Sequence, residues 1–378
     1  MIRYLLEFGN NKKLSLAEGL SYIEKNGINN FEINKNYLIF LADKEPIVTF
    51  GSILRIARYL CAFDEIESVF EKEFGFSEKI IWSIYPLDSI KHGYTDLYNK
   101  IKFKFKTLSK KSVYVSPLSF VDDEKLSVTR GLRKRLDKNG IEIVVTKSDK
   151  ILLWQTLHYL ELNNFRKRDF FRPYKRPEIS IPPSLARTMI NLAQPRIGSK
   201  LLDPFCGTGT ILLEAIDEKL NVFGVDINPK NVSGSLLNIA WFNKKSFHNV
   251  VCGDSLKLDR IFSCEMFDCI VTEPPFGPPF KKPPKRQFVE KLRSELETFY
   301  QKALDSMSCV LKKNGRIVMT FPSWKTSDNG VYDTGIYSII PESLRIDNSF
   351  ESYGIKYPIR WYKPDNVIQR LIVVFIKK

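Results

Sequence analysis

The carboxy-terminal half of the chain predicts a doubly wound α/β domain, and the amino-terminal part predicts a smaller α+β region. Three observations carry the first prediction. Leu201-Leu202-Asp203-Pro204-Phe205-Cys206-Gly207-Thr208-Gly209-Thr210 reads as a strand, a glycine turn and the start of a helix. Glycine there lets the backbone approach a ligand that a Cβ would exclude, and the following helix turns its first amides toward the same spot. Val222-Phe223-Gly224-Val225-Asp226 and Val250-Val251-Cys252-Gly253-Asp254-Ser255 then read as strands that each end in an acid. The first of these acids stands where a ribose-binding carboxylate is expected. Finally, Phe267-Asp268-Cys269-Ile270-Val271 reads as a strand running straight into Glu273-Pro274-Pro275-Phe276. Strand, acid, helix, strand, acid is the rhythm of a parallel sheet with covering helices.

Taken in order, Met1–Phe8 reads as a strand. Ser15 is placed to cap a helix over Leu16–Lys25, with Glu18 as its capping-box partner. Tyr37–Ala42 and Pro46–Phe50 are strand candidates, and Ile53–Ala62 has apolar residues at helical spacing. Trp82–Tyr85 reads as a strand. Ile101-Lys102-Phe103-Lys104-Phe105-Lys106 alternates strictly, which predicts a strand with its lysines on one face. Ile151–Leu160 fits a helix or a strand equally. Phe170 to Pro177 carries two prolines and flanking charges, which fits a linker. Pro182-Pro183-Ser184 leads into a helix over Leu185–Ala193. A helix is expected over Thr210–Lys219 and a long one over Phe288–Leu311, with Gly315 as its capping glycine. Arg316–Phe321 and Leu371–Ile376 are strands, the second apolar enough for a buried position. The expected division is a small α+β domain over 1–85, a second region over 86–165, a linker over 166–180 and the α/β domain over 181–378.

A chain of 378 residues is long for one domain. Its formal charge of +15 favours a polyanionic partner, nucleic acid ahead of an anionic membrane. Lys102, Lys104 and Lys106, with Arg130, Arg133 and Arg135, concentrate positive charge between residues 100 and 138. Such density suits salt-dependent phosphate contact, although a solvated sheet face explains the lysines equally well. No stretch reaches membrane-spanning length and no signal peptide is visible. The six cysteines contain no C-x-x-C pair, so reduced thiols in a cytosol fit better than disulfides or zinc. The three histidines form no metal or acid–base cluster in sequence. Gly277 to Arg286 is rich in proline and cations, an exposed stiff loop directly after the acid-Pro-Pro-Phe motif, with Lys281 and Lys282 placed to guide a nucleic-acid backbone.

Asp203–Thr210, Asp226 and the acid-Pro-Pro-aromatic tetrad resemble those of a Rossmann-fold amino-methyltransferase dependent on S-adenosylmethionine. The segments Phe171-Arg172-Pro173 and Pro182 to Arg187 narrow the resemblance to the archaeal tRNA guanine-10 N2-methyltransferase family, in which an RNA-binding THUMP region precedes a catalytic domain. The resemblance runs from about Asp169 to the C-terminus and is faint before residue 165. It implies a seven-stranded methyltransferase sheet, a THUMP-like region over 86–165, tRNA as partner, a cytoplasmic monomer, no metal and S-adenosylmethionine as cofactor. By the same resemblance Asp203, Phe205, Gly207 and Gly209 face the methionine end of the cofactor. Asp226 and Ile227 face its ribose side and Asp254 and Ser255 its adenine, and the segment from Phe171 to Arg187 helps cover the cofactor. Arg172 is counted with the RNA contacts, although a linker with a packing helix competes strongly for Arg172 and Arg187.

An exocyclic guanine amine is a feeble nucleophile because its lone pair is delocalised into the ring. The Glu273 side chain and the Pro274 carbonyl are expected to accept its two N–H groups, with Pro275 shaping the turn and Phe276 stacking on the extruded base. Catalysis is then mostly positioning. Glu273 departs from the Asp or Asn of the family. Its carboxylate reaches roughly 1 Å further, a misplacement that can cost on the order of 100-fold in rate. Transfer to rRNA or DNA, and a cofactor-retaining but inactive RNA-binding protein, therefore stay open. Cys206 and Cys269 read as packing residues, not as the nucleophile of a pyrimidine C5-methyltransferase.

Overall fold

The computed structural model describes residues 1–46, 48–88, 93–116, 140–160, 162–176, 180–242, 245–363 and 366–378. The chain forms two compact units. The first comprises residues 1–10, 27–48 and 53–160, and the second residues 11–26, 49–52 and 161–378. This differs from the expected division. The boundary placed at residue 85 falls inside a strand, Ser77–Pro86, of a sheet that runs through the whole first unit.

Among the described residues of the first unit, eight strands pair in the order β2-β3-β1-β4-β8-β7-β5-β6. They are β1 (Ile2–Phe8), β2 (Phe31–Ile33), β3 (Tyr37–Ala42), β4 (Ile53–Ala62), β5 (Ser77–Pro86), β6 (Ser109–Tyr114), β7 (Ile141–Lys147) and β8 (Ile151–Tyr159). Helices α2 (Ile66–Phe74) and α3 (Tyr94–Thr107) cover one face and bury Phe70, Ile101 and Phe105 against Trp82 and Ile143. Ile53–Ala62 is therefore a strand, not a helix. Both its faces are covered over most of its length, which erases the two-residue alternation. Ile101–Lys106 is helical, not extended. Leu97, Ile101 and Phe105 repeat every four residues and are buried, and that stripe outweighs the local alternation. Phe103, which a strand would have buried beside them, is 68% exposed. The described residues of Pro46–Phe50 form no strand.

The second unit begins with α1 (Lys12–Lys25), whose N-cap is Asn11 and not Ser15. Ser15 is buried inside the helix, and Glu18 accepts from the Gly51 and Ser52 amides and from Asn191 instead of closing a capping box. Helix α4 (Leu162–Phe170) occupies part of the expected linker. Arg168 and Arg187, the latter on α5 (Pro183–Leu192), both pair with the buried Glu214 of α6 (Thr210–Asp217). Then follow α7 (Pro229–Phe242) and α8 (Arg286–Val310).

The strands of this unit are β9 (Lys200–Asp203), β10 (Asn221–Asp226), β11 (His248–Cys252), β12 (Phe267–Thr272), β13 (Leu311–Lys325), β14 (Val331–Asp333), β15 (Leu344–Ile346), β16 (Ile359–Trp361) and β17 (Ile368–Lys377). Their order is β11-β10-β9-β12-β13-β17-β15, with β14 on β13 and β16 on β17. The first five are parallel and β17 is antiparallel. Helix α8 ends at Val310 and the chain enters β13 at once, so Gly315 caps nothing; Asn314 takes the positive φ. The chain steps outward from β9 to β11, then returns to β12 on the other side of β9. That reversal opens a crevice at the carboxyl ends of β9, β10 and β12.

Candidate active site

A cavity of about 650 Å³ fills this crevice. Phe205, Gly207, Asp226, Ile227, Asp254, Ser255 and all four residues of the Glu273–Phe276 tetrad line it. One site thus unites the sequence motifs that end four different strands.

Gly207 follows β9 with φ of +50°, and a Cβ there would meet the nearest protein atom only at 3.9 Å, so the spare room lies on the cavity side. Gly209 also has positive φ, but its crowding is with the protein: a Cβ would come within 2.5 Å of the Ser235 hydroxyl. Asp226 ties the turn in place. Its carboxylate accepts from the Gly207 amide at 3.0 Å, from the Asn228 amide at 2.8 Å and from the Asn231 side chain at 3.1 Å. Asp254 accepts from the Leu256 amide at 3.0 Å while still facing the cavity. Ile227 is 75% exposed, an apolar side chain at the wall awaiting a partner.

Two expected ligand residues, Asp203 and Ser255, are also engaged with the protein itself, and Cys206 packs as expected. Asp203 lies behind the wall, 1% exposed, accepting from the Thr272 hydroxyl at 2.6 Å and the Phe205 amide at 3.2 Å. Burial pushes its carboxyl up to about 7. The Ser255 hydroxyl donates to the Pro204 carbonyl and so braces two loops. Cys206 is buried, and desolvation drives its thiol well above the ordinary range; burial does the same to Cys269. Neither is placed or poised as a nucleophile. Elsewhere, Cys264 and Cys309 approach to 3.0 Å between sulfurs, a pairing that the spacing of the cysteines in sequence did not suggest.

At the end of β12 the Tyr300 hydroxyl of α8 donates to the Pro275 carbonyl at 2.6 Å, which fixes the Pro-Pro turn. The Glu273 carboxylate is gripped by Arg370 of β17. Nε donates to Oε2 at 2.6 Å and Nη2 to Oε1 at 2.8 Å, and the Thr320 hydroxyl of β13 donates to Oε2 at 3.2 Å. The Arg370 guanidinium lies 5.7 Å from the Phe276 ring centre and 5.4 Å from that of Trp361. Arg370, Asn231 and Tyr300 were not found from the sequence. The one usable signal was an arginine directly before the apolar run Leu371–Ile376 of β17, which calls for an acid partner.

The expected RNA contacts divide. Lys281 lines the cavity and Lys282 is exposed beside it. Arg172 is 2% exposed and spends its guanidinium on the Thr210 hydroxyl and Asp169, so it offers nothing to a phosphate. On the helix α3, Lys102, Lys104 and Lys106 do not form one row: Lys104 pairs with Glu71 at 3.1 Å, Lys102 lies over the Tyr98 ring, and Lys106 is exposed. Arg130, Arg133 and Arg135 lie outside the described residues. Among the described residues no group of His, Cys, Asp or Glu side chains could hold a metal ion, and no helix is long and apolar enough to cross a membrane.

Residues 171–331 match the family described as RMKL-like methyltransferase domain, and residues 22–236 match one described as DNA methylase. A tRNA (guanine(10)-N2)-dimethyltransferase of Pyrococcus abyssi is 34% identical over 201 residues, 52% of this chain and 55% of that protein. The chain thus spans about half the length of that relative. A probable tRNA (guanine(10)-N2)-dimethyltransferase of Methanothermococcus thermolithotrophicus is 30% identical over 138 residues, 35% of this chain and 76% of the relative. Among solved structures, TrmN from Thermus thermophilus shares the fold at a TM-score of 0.50 and 16% identity, with both chains covered in full. The glycine turn, the strand-ending acids and the acid-Pro-Pro-Phe tetrad around one cavity agree with these matches: the chain belongs to the tRNA (guanine(10)-N2)-dimethyltransferase family.

Proposed function

We propose that this protein transfers a methyl group from S-adenosylmethionine to the exocyclic N2 amine of a guanosine in tRNA, position 10 by likeness to its relatives. The observation that carries the reading is the tetrad Glu273–Phe276 facing the same cavity as Gly207, Asp226 and Asp254. A donor held by the second set and an amine held by the first would share one cavity.

The residues present fit the cofactor. The room above Gly207 suits a chain that a side chain would block, Asp226 and Asp254 offer acceptors, and Ile227 offers an apolar face. Asp226 would hold the ribose hydroxyls and Asp254 the adenine amine. The cofactor supplies an electrophilic methyl on a sulfonium. The protein's own part is orientation. Glu273 accepts one amine hydrogen and the Pro274 carbonyl the other, which turns the nitrogen lone pair toward the donor. The Tyr300 hydroxyl, by donating to the Pro275 carbonyl, holds the turn that carries Pro274. Phe276 gives the extruded base a stacking surface. Lys281 and Lys282 would meet the backbone phosphates, and the first unit would hold the rest of the folded RNA as a THUMP-like module.

The test is incubation with methyl-labelled S-adenosylmethionine and, in parallel, unmodified tRNA, ribosomal RNA and duplex DNA. Label in tRNA guanosine supports the reading. Label confined to DNA, as the match to a DNA methylase family would have it, replaces the substrate; cofactor binding without transfer replaces the enzyme with a binding protein.

A further inference from the structure

We infer that Arg370 is the positioning residue that makes Glu273 a working acceptor, an inference that rests on the amine-transfer reading above. An ionised carboxylate offers about four acceptor sites, two on each oxygen. Oε2 already takes Arg370 Nε–H and the Thr320 hydroxyl, while Oε1 takes Arg370 Nη2–H. Among the described residues nothing else donates to the carboxylate, so one acceptor site remains, on Oε1. A bidentate guanidinium also fixes the plane of the carboxylate, because both N–H groups must stay in line with their oxygens.

The arginine is itself held. Its side chain is 13% exposed and its guanidinium sits by the rings of Phe276 and Trp361. The acceptor (Glu273), the clamp (Arg370) and the base platform (Phe276) are therefore one packed group drawn from the loop after β12 and from β17. This answers the problem raised by the length of Glu273. A glutamate has one more rotatable bond than an aspartate, and a loose one would swing through roughly the 1 Å that matters for rate. The fork of Arg370 removes that freedom. Arg370 need not touch the amine for this role.

A double-variant cycle tests the assignment. Single-turnover transfer to an unmodified tRNA transcript is measured for wild type, Arg370→Met, Glu273→Ala and the double variant, with S-adenosylmethionine affinity by calorimetry and melting temperature alongside. Arg370→Met is expected to lose about 100-fold in transfer rate, the scale of an ångström-sized misplacement, with cofactor affinity changed by less than about twofold. Arg370→Lys, which keeps the charge and loses the fork, recovers part of that loss. In the Glu273→Ala background, Arg370→Met causes no further loss. Losses that multiply in the double variant, or an Arg370→Met protein that transfers at the wild-type rate, overturn the inference. Should Arg370→Met fail to fold, the same cycle with Arg370→Lys decides. If wild type transfers instead to an amine of duplex DNA, the guanosine reading falls and the cycle is run on that DNA with the same criterion. If wild type transfers to no nucleic acid, both fall.

Discussion

Each of the two sheets contains an arginine paired with acid, two acids in the first and one in the second, and the two clusters have opposite fates. In the first unit Arg55 of β4 lies 3.5 Å from Glu7 and 3.3 Å from Glu142, with the Tyr85 ring centre at 4.0 Å. All three charged side chains are 1% exposed. In the second unit the Arg370–Glu273 pair is 13% and 10% exposed and borders a cavity of about 650 Å³. The sealed cluster can only contribute to the fold, and such clusters are weak contributors because desolvation offsets their attraction. The cavity pair is the better hydrogen-bonded, with two guanidinium donors on Glu273 where the Arg55 nitrogens make no hydrogen bond among the described residues, yet it keeps one acceptor site where a ligand can reach it. The difference is topological. The mixed pairing of the first sheet encloses its arginine between neighbouring strands. In the second, the reversal between β9 and β12 leaves strand ends open.

That contrast can be broken or sharpened by substitution. The largest effect is expected from Arg55→Met, which leaves Glu7 and Glu142 buried without their cation. A loss of about 3–5 kcal/mol in urea unfolding of the first unit is expected, with cofactor affinity unchanged below that transition. A loss under about 1 kcal/mol would show the cluster to be idle. Glu273→Ala should reduce transfer by at least about 100-fold, near 3 kcal/mol, and spare cofactor binding in calorimetry. Undiminished transfer would remove Glu273 from its role.

Asp203 gives a pH signature. Its carboxyl is raised from an ordinary value of 3.8 to about 7 by burial. The folded state therefore binds the proton more tightly, and stability from this group is greatest below 3.8 and lost as pH rises through 7. Asp203→Asn should flatten that decline by on the order of 2 kcal/mol between pH 4 and pH 8, read from unfolding curves at both pH values. A variant with the wild-type slope would show that Asp203 stays charged. The smallest effect belongs to the loop cations. Lys281→Ala should weaken tRNA binding by under about 1 kcal/mol and lower the slope of log affinity against log salt by about 1. An unchanged slope would place the RNA elsewhere.

The catalytic-type half was legible because its signals are local and physical: a glycine turn with positive φ, acids at strand ends, and a Pro-Pro turn. The first unit was harder to read because its signals compete. In Ile101–Lys106 a two-residue alternation overlies the four-residue stripe of Leu97, Ile101 and Phe105, and only tertiary burial selects the helix. In Ile53–Ala62 burial on both faces hides the strand period. Arg172, counted with the RNA contacts, is walled in against Thr210, as the competing packing reading has it. Arg370 could not be assigned from sequence at all. It lies 97 residues from Glu273 and meets it only through the antiparallel pairing of β13 with β17.

The central claim is that Glu273, Pro274 and Phe276 present a guanosine amine to a methyl donor held over Gly207. Nucleoside mass spectrometry of tRNA after reaction with wild-type and Glu273→Ala protein tests it most directly. The account predicts N2-methylated guanosine with wild type and none with the variant. Methyl groups on another atom, or equal N2-methylation by both proteins, would contradict it.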